Sequence, residues 1–195
     1  MYKVIEWSPN LDLDEFYKKA KSRGFENNSC QKKMIDCFRN EKDWKAWILY
    51  NHKNRPIGSV ASHTFDTIVP DSFRVLTRVC TFAEERNHRG LITSKKLIAQ
   101  HQNLTDQFLL PKCIEWVNGR GRIFATSNLS SEASQKLVHK YYFPTLEKLG
   151  IVSKYQENVY YRHTYQTVWE IFPDLFLKNL NKHPRWNELF HSNIE

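Results

Sequence analysis

The chain has 195 residues, of which 41% are hydrophobic and 14% aromatic, and its formal net charge is +8. This length and composition predict one domain with a substantial core, and they exclude both a disordered chain and two domains of ordinary size. No apolar run reaches the roughly 18 residues of a membrane helix and no signal peptide is evident, so we expect a cytoplasmic protein without a membrane partner.

The predicted elements begin with two helices, one over Leu11 to Ala20 and one over Ser29 to Arg39. Three strands follow: Trp44 to Tyr50, a segment that begins at Ile57, and Phe73 to Phe82. Polar turns that contain proline separate the three strands. An antiparallel meander is the simplest arrangement of such strands.

The second half of the chain is predicted as helix, strand, helix and two strands. A helical stripe runs from Leu91 to Phe108, and a short strand covers Ile123 to Ser127. The next helix, Glu132 to Leu149, must kink or split at Pro144. Four cysteines without a CxxC pair predict no metal site. The chain then closes with two strands and a helical segment: Val159–Tyr165, Gln166–Phe172 and Pro173–Glu195.

Positive charge concentrates at the start of the third predicted helix. The stretch from Arg86 to Thr105 contains four Lys or Arg residues and no Asp or Glu. A helix N-terminus presents unpaired backbone N–H groups and the positive end of its dipole, which suits a diphosphate. Gly90 permits close approach of the backbone and Arg89 supplies charge. An ordinary solvated basic loop is the alternative for these residues.

The order of elements and the segment Asn87-His88-Arg89-Gly90-Leu91-Ile92 resemble the GNAT family of N-acetyltransferases. The family carries a cofactor loop, Q/R-x-x-G-x-G/A, between its central strand and the following helix. Gly90 stands at the middle glycine of this motif, whereas Asn87 and Ile92 depart from it. The resemblance covers about Trp44 to Phe172, and it indicates a divergent member. A fainter similarity to acetyltransferase-like proteins of tailed phages points to a phage source.

The resemblance implies a mixed α/β fold with a mostly antiparallel central sheet flanked by helices. One domain then spans residues 1–195, with N-terminal helices at 1–43, a sheet and cofactor-binding core at 44–172, and a C-terminal helical extension at 173–195. The implied cofactor is acetyl-CoA or another acyl-CoA. Its diphosphate would lie on the basic loop, and its pantetheine arm on main chain freed where the central strand separates from its neighbour. The cofactor-binding residues are then Val79, Cys80, Thr81, Arg86, Asn87, His88, Arg89, Gly90, Leu91, Ile92 and Thr93.

The resemblance also implies two catalytic residues, Asn128 after the short strand and a helical tyrosine that protonates the departing thiolate. In this chain the usual tyrosine position, four residues before Gly150, is Leu146. Tyr142 lies one helical turn earlier on the same face, and a phenol suits protonation of a thiolate. Tyr142 and Asn128 are therefore the predicted catalytic residues. Packing of Tyr142 as a core aromatic is the alternative.

Acetylation of an amine also requires a base, and the third strand carries no acidic side chain. The nearby candidates are Glu84, Glu85 and His63, and a lone histidine in a strand is more often structural. The leading hypothesis is direct acyl transfer to an unidentified small-molecule or protein amine. One alternative is a GNAT-fold binding or regulatory protein without catalysis. A nucleic-acid-binding protein is less favoured, and a homodimer through the C-terminal segment is open.

Overall fold

The computed structural model describes residues 1–22, 38, 40–81, 103–127, 138–161 and 164–183, with the backbone alone for 76–80. Its centre is a seven-stranded sheet with the strand order β1-β2-β3-β4-β5-β7-β6. Among these described strands, all neighbours are antiparallel except β4 and β5, which run parallel. The strands are β1 Lys3–Glu6, β2 Trp44–Tyr50, β3 Pro56–Thr64, β4 Ser72–Thr81, β5 Arg122–Ser127, β6 Val152–Tyr161 and β7 Thr164–Ile171.

Short helices flank this sheet and confirm the predicted mixed α/β class with a mostly antiparallel sheet. A proline stands in the first turn of α2, α3 and α4, where the missing backbone N–H costs no hydrogen bond. The predicted split at Pro144 is not observed, because a π-helical turn, Val138–Tyr142, continues directly into α3 and only the hydrogen-bonding pattern changes there. A second π-helical turn, Thr105–Leu109, leads into α2. The helices are α1 Asp14–Ser22, α2 Leu110–Val117, α3 Phe143–Lys148 and α4 Pro173–Lys178.

The sheet is packed on both faces. The apolar residues of α2 recur at the helical spacing Leu110, Cys113, Ile114 and Val117, and they join α3 and α4 in the main core cluster on one face. On the other face, α1 buries Phe16, Tyr17 and Ala20 against Ile48 of β2, together with Leu13, which precedes the helix. No helix within the described ranges is long and apolar enough to cross a membrane.

The last two strands differ from their predicted boundaries. The predicted turn between Tyr165 and Gln166 is wrong, because β6 and β7 pair up to Tyr161 and Thr164. β6 also begins seven residues earlier than the predicted Val159, at Val152. It is an edge strand whose middle is exposed, so it lacks the apolar alternation that marks a strand in sequence. The predicted second helix, Ser29 to Arg39, lies outside the described residues apart from Phe38.

His183 makes folding sensitive to acid. It is 9% exposed, and its ring centroid lies 4.3 Å from that of Phe176. Burial lowers its pKa from 6.5 to about 4. A histidine with a lowered folded-state pKa contributes stability that is fully present above its unfolded pKa and is lost as the pH falls through its folded pKa.

We therefore expect wild type to lose about 2 kcal/mol of unfolding free energy relative to a His183→Leu variant between about pH 7.5 and about pH 4.5. Urea denaturation at the two pH values measures this difference. A His52→Leu variant at the exposed β2–β3 turn is the matched control. An equal response of wild type and His183→Leu to pH would contradict the prediction.

Candidate functional site

The centre of the sheet contains a gap between two parallel strands. β4 and β5 pair over three residues, from Ser72 with Arg122 to Arg74 with Phe124. Beyond Arg74 the described backbones of the two strands no longer pair with each other, although β5 stays paired with β7 as far as Ser127. Backbone N–H and C=O groups of both strands therefore face the gap. This separation is the feature that the family resemblance implied for the central strand.

Arg74 ties the two strands together where they begin to separate. Its Nε and a terminal guanidinium nitrogen donate to Oγ1 of Thr126 at 3.2 and 2.7 Å. The guanidinium carbon also lies 5.2 Å from the ring centroid of Tyr161. These two hydrogen bonds cross from β4 to β5 beside the last backbone pair, Arg74 with Phe124. They fix the distance between the strands where the gap begins.

Four buried polar side chains form two pairs, one of which lies at the far end of β4. Thr81 and Thr105 are 4% and 2% exposed, and their Oγ1 atoms are 2.8 Å apart. Asp106 and Tyr142 are 8% and 2% exposed. Burial raises the pKa of the Tyr142 hydroxyl well above 10, and the charge and hydrogen bonding of Asp106 raise it further. Tyr142 is therefore protonated at neutral pH and packs edge-on against Phe143 in the core.

The structure describes part of the sequence-predicted site. Thr81, at the end of β4, contacts Thr105. Tyr142, on the helical turn before α3, neighbours Asp106. Val79 and Cys80 lie on the described backbone of β4, and Cys80 pairs with Ser59 of β3. The predicted loop Arg86 to Thr93 and Asn128 lie outside the described residues. The roles of all these residues stay predictions.

A cleft of about 460 Å³ opens between the helical turn Val138–Tyr142 and the β6–β7 hairpin. At this cleft, Oγ of Ser127, the last residue of β5, lies 3.0 Å from Nδ1 of His139. The same oxygen accepts a hydrogen bond from Nε1 of Trp169 at 2.8 Å. The cleft is lined by His139, Lys140, Tyr141, Pro144, Lys154, Glu157 and Trp169.

His139 is a residue that sequence reasoning missed. Burial lowers its pKa below 6.5, Lys154 and Lys140 lower it further, and Glu157 partly opposes them. The neutral imidazole is therefore the dominant form at neutral pH. The sequence presents His139 on a basic helix beside lysines, which is typical of a solvated surface. Its contact with Ser127 depends on how β5 packs against the helical turn Val138–Tyr142. No local pattern in the sequence reveals this packing.

His63, one of the bases considered from sequence, is held in the core. Its side chain is fully buried, and its Nδ1 lies 2.6 Å from the carbonyl oxygen of Thr64 and 3.3 Å from Oε1 of Glu41. Its ring centroid lies 5.3 Å from that of Phe38. These contacts support a structural role for His63.

The mixed sheet, the helices on its two faces and the separated central strands define an acyl-CoA N-acyltransferase (GNAT) fold. The chain is similar to spermidine N-acetyltransferase from Vibrio cholerae in complex with CoA and spermine, with a TM-score of 0.52 at 12% identity over 90% of this chain and 98% of that chain. A mutant of that enzyme gives a TM-score of 0.51 at 12% identity, over 91% and 97%. No protein-family model matches the sequence, and no curated protein matches it. Similarity at this identity establishes the fold.

Proposed function

We propose that the protein is an acyl-CoA-dependent N-acyltransferase, which transfers an acetyl group in the simplest case to an amine. The observation that carries the proposal is the separation of β4 from β5 after three paired residues, at the centre of a GNAT fold. Acyl-CoA supplies an acyl group activated as a thioester. In this proposal the freed main chain from Val79 to Thr81 binds the pantetheine arm and donates to the thioester carbonyl.

The basic loop is the proposed site for the diphosphate. Backbone amides from Arg86 to Thr93 would hold it at the start of the helix, and the guanidinium of Arg89 would balance part of its charge. The net charge of +8 supports an anionic ligand of this kind. Asn87 and Ile92 depart from the motif in their side chains, and both still carry a backbone N–H because neither is a proline.

Tyr142, on the helical turn before α3, and Asn128, which follows β5 in the sequence, are the proposed catalytic residues. The raised pKa of Tyr142 keeps its hydroxyl protonated at neutral pH, which is the state that a donor to the departing thiolate needs. The hydroxyl also neighbours Asp106, so the same carboxylate would orient it. Because burial makes the Tyr142 hydroxyl a weaker acid than an exposed phenol, it can protonate the thiolate only by direct contact. The proposed role therefore requires the CoA sulfur to approach this hydroxyl within hydrogen-bonding distance.

Isothermal titration of the purified protein with acetyl-CoA and with CoA tests the proposal. Wild type is expected to bind saturably, and an Arg89→Ala, Gly90→Glu variant to bind at least about thirtyfold more weakly. The variant loses a cation and sets a carboxylate against the diphosphate, and such like-charge contacts cost several kcal/mol. Lys53→Glu, which changes the net charge by the same two units at the exposed β2–β3 turn, is the charge-matched control.

Circular dichroism of each variant separates weak binding from misfolding. A folded wild-type protein that binds neither ligand at millimolar concentration would overturn the proposed activity. The chain would then be a GNAT-shaped binding protein, the alternative that the altered loop motif left open.

A further inference from the structure

The third predicted strand has no acidic side chain to accept a proton from the amine. The cleft beside β6 contains a candidate proton acceptor, His139. Ser127 ends β5 at the open end of the gap, and its side chain is bonded to His139. His139 therefore lies at the end of β5, one of the two strands that border the gap. The cleft volume of about 460 Å³ is within the usual range for small-molecule sites.

We propose that His139 is the general base of the acyl transfer and that this cleft receives the acceptor amine, an assignment that rests on the proposed function. The nitrogen of the unprotonated amine forms its bond to the acyl carbon while the carbon–sulfur bond breaks, and the electron pair of that bond goes to sulfur. The surplus proton of the amine goes to Nε2 of His139. The sulfur receives a proton from Tyr142 or from solvent.

The hydrogen bonds around Ser127 are compatible with the tautomer that this role requires. A hydroxyl oxygen has two lone pairs and one proton. One lone pair accepts the N–H of Trp169 at 2.8 Å. The other can accept an Nδ1–H from His139 at 3.0 Å, whereas in the opposite tautomer the hydroxyl donates to Nδ1, and the proposed role requires the first arrangement. With the ring proton on Nδ1, the lone pair of the imidazole is on Nε2, which is the proton acceptor. Ser127 is thus a positioning residue for the ring.

The charges around His139 keep it ready to accept a proton. Lys154 and Glu157 face it from β6, Lys140 and Tyr141 flank it on its own turn, and Ser127 and Trp169 approach from β5 and β7. Burial and the two lysines together lower its pKa despite Glu157. A base works when deprotonated, so turnover at a fixed concentration of unprotonated amine should rise with pH through a pKa below 6.5 and be level at neutral pH.

Kinetics on the whole protein provide the first test. CoA release from acetyl-CoA is followed with spermidine, L-lysine, glucosamine and a lysine-containing peptide as acceptors. His139→Gln is expected to lower kcat/KM about a hundredfold, the usual scale for a general base, with an unchanged affinity for acetyl-CoA. His52→Gln is expected to behave as wild type. Lys154→Gln should shift the acidic limb of the wild-type profile to higher pH, because it removes the larger of the two lysine effects.

Nitrogen NMR of the histidine rings provides a second test that needs no turnover. The proposal requires the Nδ1–H tautomer of His139 at neutral pH and a shift of its ring signals when acetyl-CoA is added. An Nε2–H tautomer, an unshifted ring at saturating acetyl-CoA, or full activity in His139→Gln would each overturn it. Failure of wild type to bind acetyl-CoA would instead remove the proposed function, and the base assignment with it.

Discussion

Replacing Trp169 by alanine is expected to lower the free energy of unfolding by about 4 kcal/mol, within the usual range for deleting a buried aromatic side chain. Trp169 is 1% exposed and stacks on Phe143 with ring centroids 5.2 Å apart and planes 10° from parallel. It also belongs to the main core cluster between β7 and the helices. Urea denaturation followed by circular dichroism measures the loss.

Trp169→Phe is the matched control for this substitution. Phenylalanine keeps an aromatic ring against Phe143 but removes the N–H that Trp169 donates to Ser127. We expect the control to cost about 1–2 kcal/mol, since one buried hydrogen bond is lost and a small void is left. A loss below about 2 kcal/mol for Trp169→Ala would show that this part of the core relaxes around the missing ring.

Gly121→Ala is expected to cost about 3 kcal/mol, at the upper end of the usual effect of overpacking. An alanine Cβ at this position would lie 2.5 Å from the carbonyl oxygen of Asp71 and 3.5 Å from Cδ2 of Phe73. This oxygen belongs to the backbone of Asp71 and also accepts a hydrogen bond from the N–H of Arg122 at 3.3 Å. The Asp71 carbonyl therefore cannot move without shifting the start of β4 against the start of β5.

Gly119→Ala, two residues away, separates this clash from a general intolerance of the turn. Gly119 has φ of +78°, and no described atom lies within 4 Å of a Cβ built there. The control should therefore cost about 1 kcal/mol, the penalty of a left-handed backbone for alanine. Equal losses in the two variants, measured by thermal and urea denaturation, would contradict the proposed close approach at Gly121.

The fold was predictable where side-chain patterns report packing directly. The bounds of β2 agree with the sequence because its aromatic and branched residues run into a polar turn that ends at Pro56. β1 was missed, since Lys3 to Glu6 is a four-residue edge strand with exposed ends. β6 was cut short for a related reason, because its exposed middle residues and the left-handed Asn158 break the expected alternation.

The candidate site was less readable than the fold. The motif around Gly90 and the helical spacing before Gly150 are local features, so the sequence alone suggests the loop and Tyr142 as candidates, and their roles stay predictions. The partners of those residues are not local. Asp106 meets Tyr142, and Ser127 meets His139 and Trp169, because a helix after one strand packs beside another strand. Such contacts follow from the tertiary structure and produce no regular residue spacing that could be recognised in the sequence.

The short junction of β4 with β5 also has a consequence for the order in which the molecule folds. Strands β2 to β4 form by successive hairpins, as do β6 and β7, so each half of the sheet gains contacts between chain neighbours. The junction instead joins Arg74 to Thr126, 52 residues apart, and closing so long a loop costs entropy before any contact is gained. The two halves should therefore acquire structure first and dock late, so that substitutions at the junction mainly speed unfolding.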